Sequence, residues 1–124
     1  MQNTLTTLIE RQALRNPDRE AYFTRRPGSA EWQPTTWRTF ADNVGAAACA
    51  LEILGLEPRQ ILTIFSANRE EILTVDFGAY ANRGIPVSLY ATSSLEQVEY
   101  ILNDTRAAII FTGDAKQYAI ARSA

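Results

Sequence analysis

Three short apolar runs limit what this chain can fold into. Ile61 to Phe65 reads ILTIF, Ile85 to Tyr90 reads IPVSLY, and Ala108 to Phe111 reads AIIF. The first fits a strand buried on both faces. Helix-period stretches lie between the runs. From Glu70 to about Asn82, Ile72, Leu73, Phe77, Tyr80 and Ala81 are expected on the inner side. From Ser94 to Asn103, Leu95, Val98, Ile101 and Leu102 share one face. A further helical segment opens at Asp114, after the Thr112-Gly113 turn. Strand, helix, strand, helix, strand at this spacing implies parallel pairing through right-handed crossovers, because a tight hairpin cannot join parallel neighbours. We expect an α/β class: a mostly parallel sheet with helices on both faces.

The first third of the chain reads differently. Leu5, Leu8, Ile9 and Ala13 predict an opening helix that stops near Asn16-Pro17. Ala21 to Thr24 is a strand candidate. Trp32 to Trp37 reads as an edge strand, with Pro34 marking an edge or bulge. Both tryptophans are expected to pack that strand onto the next helix. That helix, Thr39 to Leu54, carries the stripe Phe40, Val44, Ala47, Leu51 and Leu54. Thr39 and Asp42 have capping-box spacing, and Gly55 is placed to terminate the helix. We divide residues 1–38, an opening helix and edge strands, from residues 39–124, the βαβ-type units. The last helical segment runs about three turns with no strand after it. Open parallel sheets usually have more strands, so we expect a piece of something longer whose unpaired edge favours self-association.

Composition excludes several functions. With 124 residues, 46% of them hydrophobic, there is material for one core. The net charge of -2 speaks against nucleic acid as a partner, since phosphate binding needs clustered positive charge. There is no histidine, the commonest general base. Cys49 is the only cysteine and sits in the apolar run Ala46 to Leu51, so we expect it buried and inert. One cysteine forms no internal disulfide, which fits a reducing compartment. The start of the chain lacks a basic region followed by a long apolar run, and no segment reaches the ~20 apolar residues of a membrane span. We expect a soluble, cytoplasmic protein.

In open α/β sheets, ligands sit beyond the carboxyl ends of the strands. Those ends carry Ser66 and Asn68, then Tyr90 to Ser94, then Thr112 to Asp114. None is a glycine-rich phosphate loop. Thr92, Ser93 and Ser94 raise the question of phosphate binding, but Ser93 with Glu96, or Ser94 with Gln97, has capping-box spacing. A capping hydroxyl contributes about 1 kcal/mol. Micromolar nucleotide affinity needs about 8 kcal/mol, against ~1.5–3 kcal/mol for a hydrogen bond to a charged group. Glu96 and Glu99 would also repel a phosphate. Capping is the better reading. Glu70 and Glu71 suit the positive end of a helix, Arg25-Arg26 reads as surface, and no cluster has metal-ligand spacing. We assign no catalytic, cofactor-binding or metal-binding residue to this chain.

The order of segments resembles a known family. NPDREAYF at Asn16 to Phe23, EWQPTTWRTFADNVGAAACAL at Glu31 to Leu51, and LGLEPRQILTIFSANREE at Leu54 to Glu71 resemble the start of an AMP-forming, acyl-activating synthetase. Gly78 to Tyr118 resembles its long-chain fatty-acid CoA ligase branch. Where long-chain members often show Asn-x-Pro-Glu-Trp, this chain has Asn68, Arg69, Glu70, Glu71 and Ile72, which leaves acyl-chain length open. The resemblance implies a full-length enzyme that uses ATP and Mg²⁺ to form an acyl-adenylate and then passes the acyl group to coenzyme A. It implies that the phosphate-gripping, adenine-site and ribose-binding motifs lie past residue 124, with the first portion of the large N-terminal domain here. The remainder of that enzyme, fatty acid and coenzyme A are the implied partners, along with a peripheral membrane contact of the whole enzyme. No cofactor is expected on this segment alone. A stand-alone α/β binding or signalling module stays open beside this. A phosphoacceptor module would need an Asp ending a central strand, where this chain has Phe65-Ser66 and Leu89-Tyr90.

Overall fold

The computed structural model describes residues 4–124. Helix α1 (Leu5–Arg15) leads to strands β1 (Glu20–Thr24) and β2 (Gln33–Thr36), then helix α2 (Trp37–Ile53). The remainder is β3 (Ile61–Phe65), α3 (Glu70–Ala81), β4 (Ile85–Leu89), α4 (Leu95–Thr105), β5 (Ile109–Thr112) and α5 (Ala115–Ser123). β1 and β2 form an antiparallel pair. The other strands form a parallel sheet in the order β4-β3-β5.

β3 is the centre, and its two faces feed two cores. Leu62 and Ile64 pack against Leu51 and Leu56 from the α2 end and Val75 and Ala79 from α3. Phe65 packs on the opposite side with Leu89 and Val98, joined by Ile101, Leu102, Ile110 and Ile120. Alternation along a strand requires this split, since successive side chains point to opposite faces. Helices therefore cover both faces. A third cluster, Ile9, Phe40 and Val44, seats α1 and the β1–β2 pair on α2, with Tyr22 and Phe77 edge-on to Phe40 at 5.2 and 5.8 Å.

Two backbone devices set the spacing between layers. α2 ends as a Schellman motif: the Leu56 amide donates to the Leu51 carbonyl at 2.9 Å and the Gly55 amide to that of Glu52 at 2.9 Å. Gly55 has φ 89, which favours glycine. Where α3 crosses α2, a Cβ at Gly78 would lie 2.9 Å from the Cβ of Ala47, so the two helices meet almost backbone to backbone.

Several expectations are corrected. Cys49 is exposed, because it lies off the Phe40–Val44–Leu51 stripe of α2. That stripe excludes Leu54, the C-cap, which is also exposed. α2 begins at Trp37, two residues before Thr39. Its cap is Thr36, whose hydroxyl accepts the Thr39 amide at 3.2 Å. Trp37 is thus helical and packs near Phe40, while Trp32 is exposed under the Arg25 guanidinium and does not join the helix. Of the α1 face only Ile9 is buried, with Leu5 and Leu8 exposed. α3 buries Val75, Gly78 and Ala79, whereas Leu73, Tyr80 and Ala81 face outward. Apolar residues surround α3, so periodicity alone could not choose its inner side.

One buried polar group has no partner among the described residues. Thr63 is fully buried in β3, flanked in register by Val87 and Ile110, and its hydroxyl makes no hydrogen bond. An unsatisfied buried hydroxyl costs about 1–3 kcal/mol. Thr63→Val keeps the branched shape and removes the hydroxyl. It should raise the unfolding free energy by about 1 kcal/mol, seen as a higher urea midpoint at unchanged slope. A lower midpoint would mean that the hydroxyl is satisfied.

Candidate functional site

The sheet order places one crevice. From β3 the chain goes through α3 to β4 on one side, then back through α4 to β5 on the other. Loops leaving β3 and β5 diverge to opposite faces, and an open α/β sheet presents its ligand crevice at such a point. A cleft of about 850 Å³ lies there. Arg69, Asn68, Asp114 and Gln117 line its floor, and Arg25 and Trp32 of the β1–β2 hairpin form its rim. A shallower depression on the outer side of α4, between Glu96, Glu99 and Asp104, is a solvated acidic helix surface.

The floor of the cleft is a hydrogen-bonded strap across all three strand ends. The Gly113 amide donates to the Phe65 carbonyl at 3.0 Å and to Gln117 Oε1 at 3.2 Å. The Gly113 carbonyl accepts Arg69 Nη1 at 2.7 Å. Gln117 is buried, and its Nε2 donates to the Ala91 carbonyl at 3.3 Å, joining the end of β5 to the loop after β4. Asp114 caps α5 by accepting the Gln117 amide at 2.7 Å. The buried Ser66 hydroxyl donates to the Ala67 carbonyl at 2.8 Å. A Cβ at Gly113 would lie 2.8 Å from Ser66 Cβ and 2.9 Å from Gln117 Oε1, so the strap closes only around glycine.

Arg69 grips Glu71 with both arms of its guanidinium, Nε to Oε2 at 2.8 Å and Nη2 to Oε1 at 2.7 Å. This fork, helped by a backbone hydrogen bond, pulls the Glu71 carboxyl down to about 2. At the rim, burial pushes the Tyr22 hydroxyl up, opposed by its hydrogen bond with Thr35 and reinforced by Glu70 and Glu71. Burial also raises Asp76, on α3 away from the cleft lining.

The hydroxyl run after β4 is a cap. Ser94 accepts the Gln97 amide at 3.3 Å, and the Gln97 side chain accepts the Ser94 amide at 2.9 Å, a complete capping box. Ser93 is buried and Thr92 exposed; neither lines the cleft. Glu70 and Glu71 lie in the first turn of α3, with Glu71 also in the fork. Arg25 sits 5.4 Å over the Trp32 ring, a weak surface contact. Sequence reasoning missed Arg69 and Gln117. Asp114 and Gln117 have capping-box spacing, which could have flagged the second. Arg69 and Gly113 are 44 residues apart, and no local signal joins them.

The polar side chains of the strap are engaged within the chain. Arg69 is engaged by Glu71 and Gly113, Gln117 by Ala91 and Gly113, and Asp114 by its own helix. Among the described residues no group of three His, Cys, Asp or Glu could hold a metal ion. No helix among the described residues is long and apolar enough to cross a membrane.

Known proteins share both sequence and fold with the chain. The AMP-binding enzyme family model matches residues 9–124. The long-chain-fatty-acid–CoA ligase FadD15 of Mycobacterium bovis is 38% identical over 80 residues, covering 64% of this chain and 13% of that protein. The uncharacterized protein Rv1549 of Mycobacterium tuberculosis is 30% identical over 107 residues, 86% of this chain and 59% of that protein. The N-terminal domain of FACL13 from Mycobacterium tuberculosis, solved with an inhibitor, superposes with a TM-score of 0.86 at 18% identity, over 99% of this chain and 30% of that one. The chain thus spans a small part of the curated ligases it matches and somewhat over half of the uncharacterized relative.

The Arg69–Glu71 fork makes a titration testable. The folded carboxyl lies at about 2 against an ordinary 4.5. Its contribution to stability is therefore complete above about pH 4.5 and is lost as pH falls toward 2. Both side chains are over a third exposed, so solvent screening limits that contribution to ~0–1 kcal/mol. Carboxyl-carbon NMR should place the Glu71 midpoint near 2 and return it toward 4.5 in Arg69→Gln. An ordinary midpoint in the unaltered chain would show that the fork is not made.

Proposed function

Because this chain belongs to the AMP-binding enzyme family, we propose that it is the N-terminal segment of a long-chain fatty acid–CoA ligase. The full-length enzyme would convert ATP, a fatty acid and coenzyme A to acyl-CoA, AMP and diphosphate, with Mg²⁺ bound alongside the nucleotide. The observation that carries this reading is the identity shared with a long-chain ligase across 80 residues. Residues 1–38 supply the opening helix and hairpin of the segment, and residues 39–124 its βαβ units. The nucleotide, the metal and both substrates fall to the remainder of the enzyme. The segment's own task is packing: it presents a rigid sheet corner whose strand ends are strapped together. Nucleic acid is not a partner, and the location we propose is cytoplasmic.

The segment alone is catalytically silent in this reading. Purified chain incubated with ATP, Mg²⁺, palmitate and coenzyme A should release no AMP above a protein-free blank. Turnover that copurifies with the chain would reverse that conclusion. β4 and β5 are both edge strands of the three-stranded sheet, so we also expect concentration-dependent self-association. Sedimentation showing only monomer at high concentration would contradict it.

One observation favours a second reading. The 107 matched residues make up 59% of Rv1549, a protein far shorter than the ligase FadD15, of which 80 matched residues make up 13%. A stand-alone α/β binding module is therefore a real alternative. A stop codon directly after Ala124 in the gene would favour it over the ligase segment.

A further inference from the structure

The two open edges of the parallel sheet differ in their backbone. In a parallel ladder the amide and carbonyl of one residue point to the same side of the strand, and successive residues alternate sides. The Ile85 amide donates to the Gln60 carbonyl at 2.9 Å, so the backbone groups of Ile85, Val87 and Leu89 face β3. Those of Pro86 and Ser88 then face the open edge of β4. Pro86 has no amide to offer, which leaves that edge the Ser88 amide alone within the strand. Proline at an edge blocks strand pairing. β5 has no such block. The Ala108 amide donates to the Ile61 carbonyl at 2.9 Å, so Ile110 also faces β3, and Ile109 and Phe111 each point an amide and a carbonyl at the open edge. Both residues favour strands, and both are half-buried.

The β5 edge is also complementary to itself. Two copies placed antiparallel about a twofold axis at Ile110 bring Ile109 of each opposite Phe111 of the other. Each such pair exchanges two hydrogen bonds, so every outward-facing backbone group of Ile109 and Phe111 is used. Arg106 precedes Ile110 by four residues, and Asp114 follows it by four. The same axis therefore carries Arg106 of each copy to the end of the strand pair where Asp114 of the other lies. Both residues are exposed, and neither is in an ion pair among the described residues. Each has a local role, Arg106 at the negative end of α4 and Asp114 as the cap of α5. Those roles do not require opposite charges at equal spacing on either side of one strand. The joined sheet, β4-β3-β5 followed by the β5-β3-β4 of the second copy, has Pro86 at both outer edges and so stops at the dimer. Its size falls in the common range of about 4–6 strands.

We propose that the open edge of β5 is where a second copy of this chain docks, antiparallel about Ile110, with Arg106 and Asp114 of the two copies meeting at both ends of the strand pair. This rests on the self-association expected above, gives it a strand and a register, and does not depend on the ligase assignment. The test is sedimentation velocity of the 124-residue chain at rising concentration, with amide hydrogen exchange over the same range. The unaltered chain should pass from monomer to dimer and no further. Exchange at the Ile109 and Phe111 amides should slow as the dimer forms, while that at Ser88 should not change. R106D sets like charges at both ends of the strand pair and should weaken the dimer roughly tenfold. Aspartate is tolerated in the left-handed backbone of that position (φ 50), so the fold should be kept. D114R sets like charges of the other sign and should weaken the dimer equally. An equimolar mixture of the two variants again has opposite charges at both ends, and it should dimerise as the unaltered chain does. D114R also loses the α5 cap; if it does not fold, R106D and the exchange measurement carry the test. Self-association that leaves exchange at Ile109 and Phe111 unchanged, or that R106D does not weaken, would overturn the proposal while leaving self-association in place. Growth past the dimer would overturn it by showing the β4 edge to be open, and a chain that stays monomeric would overturn both.

Discussion

Strand β3 has no side left for water. It is paired on both edges, by β4 and β5, and covered on both faces by helices. Every residue from Leu62 to Phe65 is buried. A strand in this position must be apolar on both faces, and ILTIF is, apart from the unpartnered Thr63 hydroxyl. The remaining layers follow from it. α2 and α3 cover the Leu62–Ile64 face, with Gly78 allowing them to approach each other closely, and α4 and α5 cover the Phe65 face.

A central strand with neighbours reached in opposite directions also has a distinct carboxyl end. The loops after β3 and β5 separate there, and the cleft opens between them. The structure fills that end with its own hydrogen bonds. Gly113 is held by Phe65, Gln117 and Arg69, and Gln117 reaches on to Ala91. The Arg69, Gly113 and Gln117 groups of the crevice floor are engaged with one another rather than left open.

Local features of the site were legible and distant ones were not. Ser94 with Gln97 was readable as a capping box because both partners lie within one turn. Arg69 could not be singled out, because its carbonyl partner Gly113 arrives only after two crossovers. Cys49 and Leu54 were misjudged for a related reason. Apolar neighbours in sequence do not say which side of α2 meets α3 and the sheet, and both residues lie on the other side. α3 showed the same limit, since apolar residues on every side give periodicity no direction.

By itself the sequence determined the element order, the parallel α/β class and the family. Those depend on alternating apolar runs, capping residues and segment order, all of which are local. Tertiary structure alone decided the strand order β4-β3-β5, the buried side of α3 and the Arg69–Gly113–Gln117 strap. Each of these needs strands from distant parts of the chain to settle into one register, and register arises from packing both faces of β3 at once.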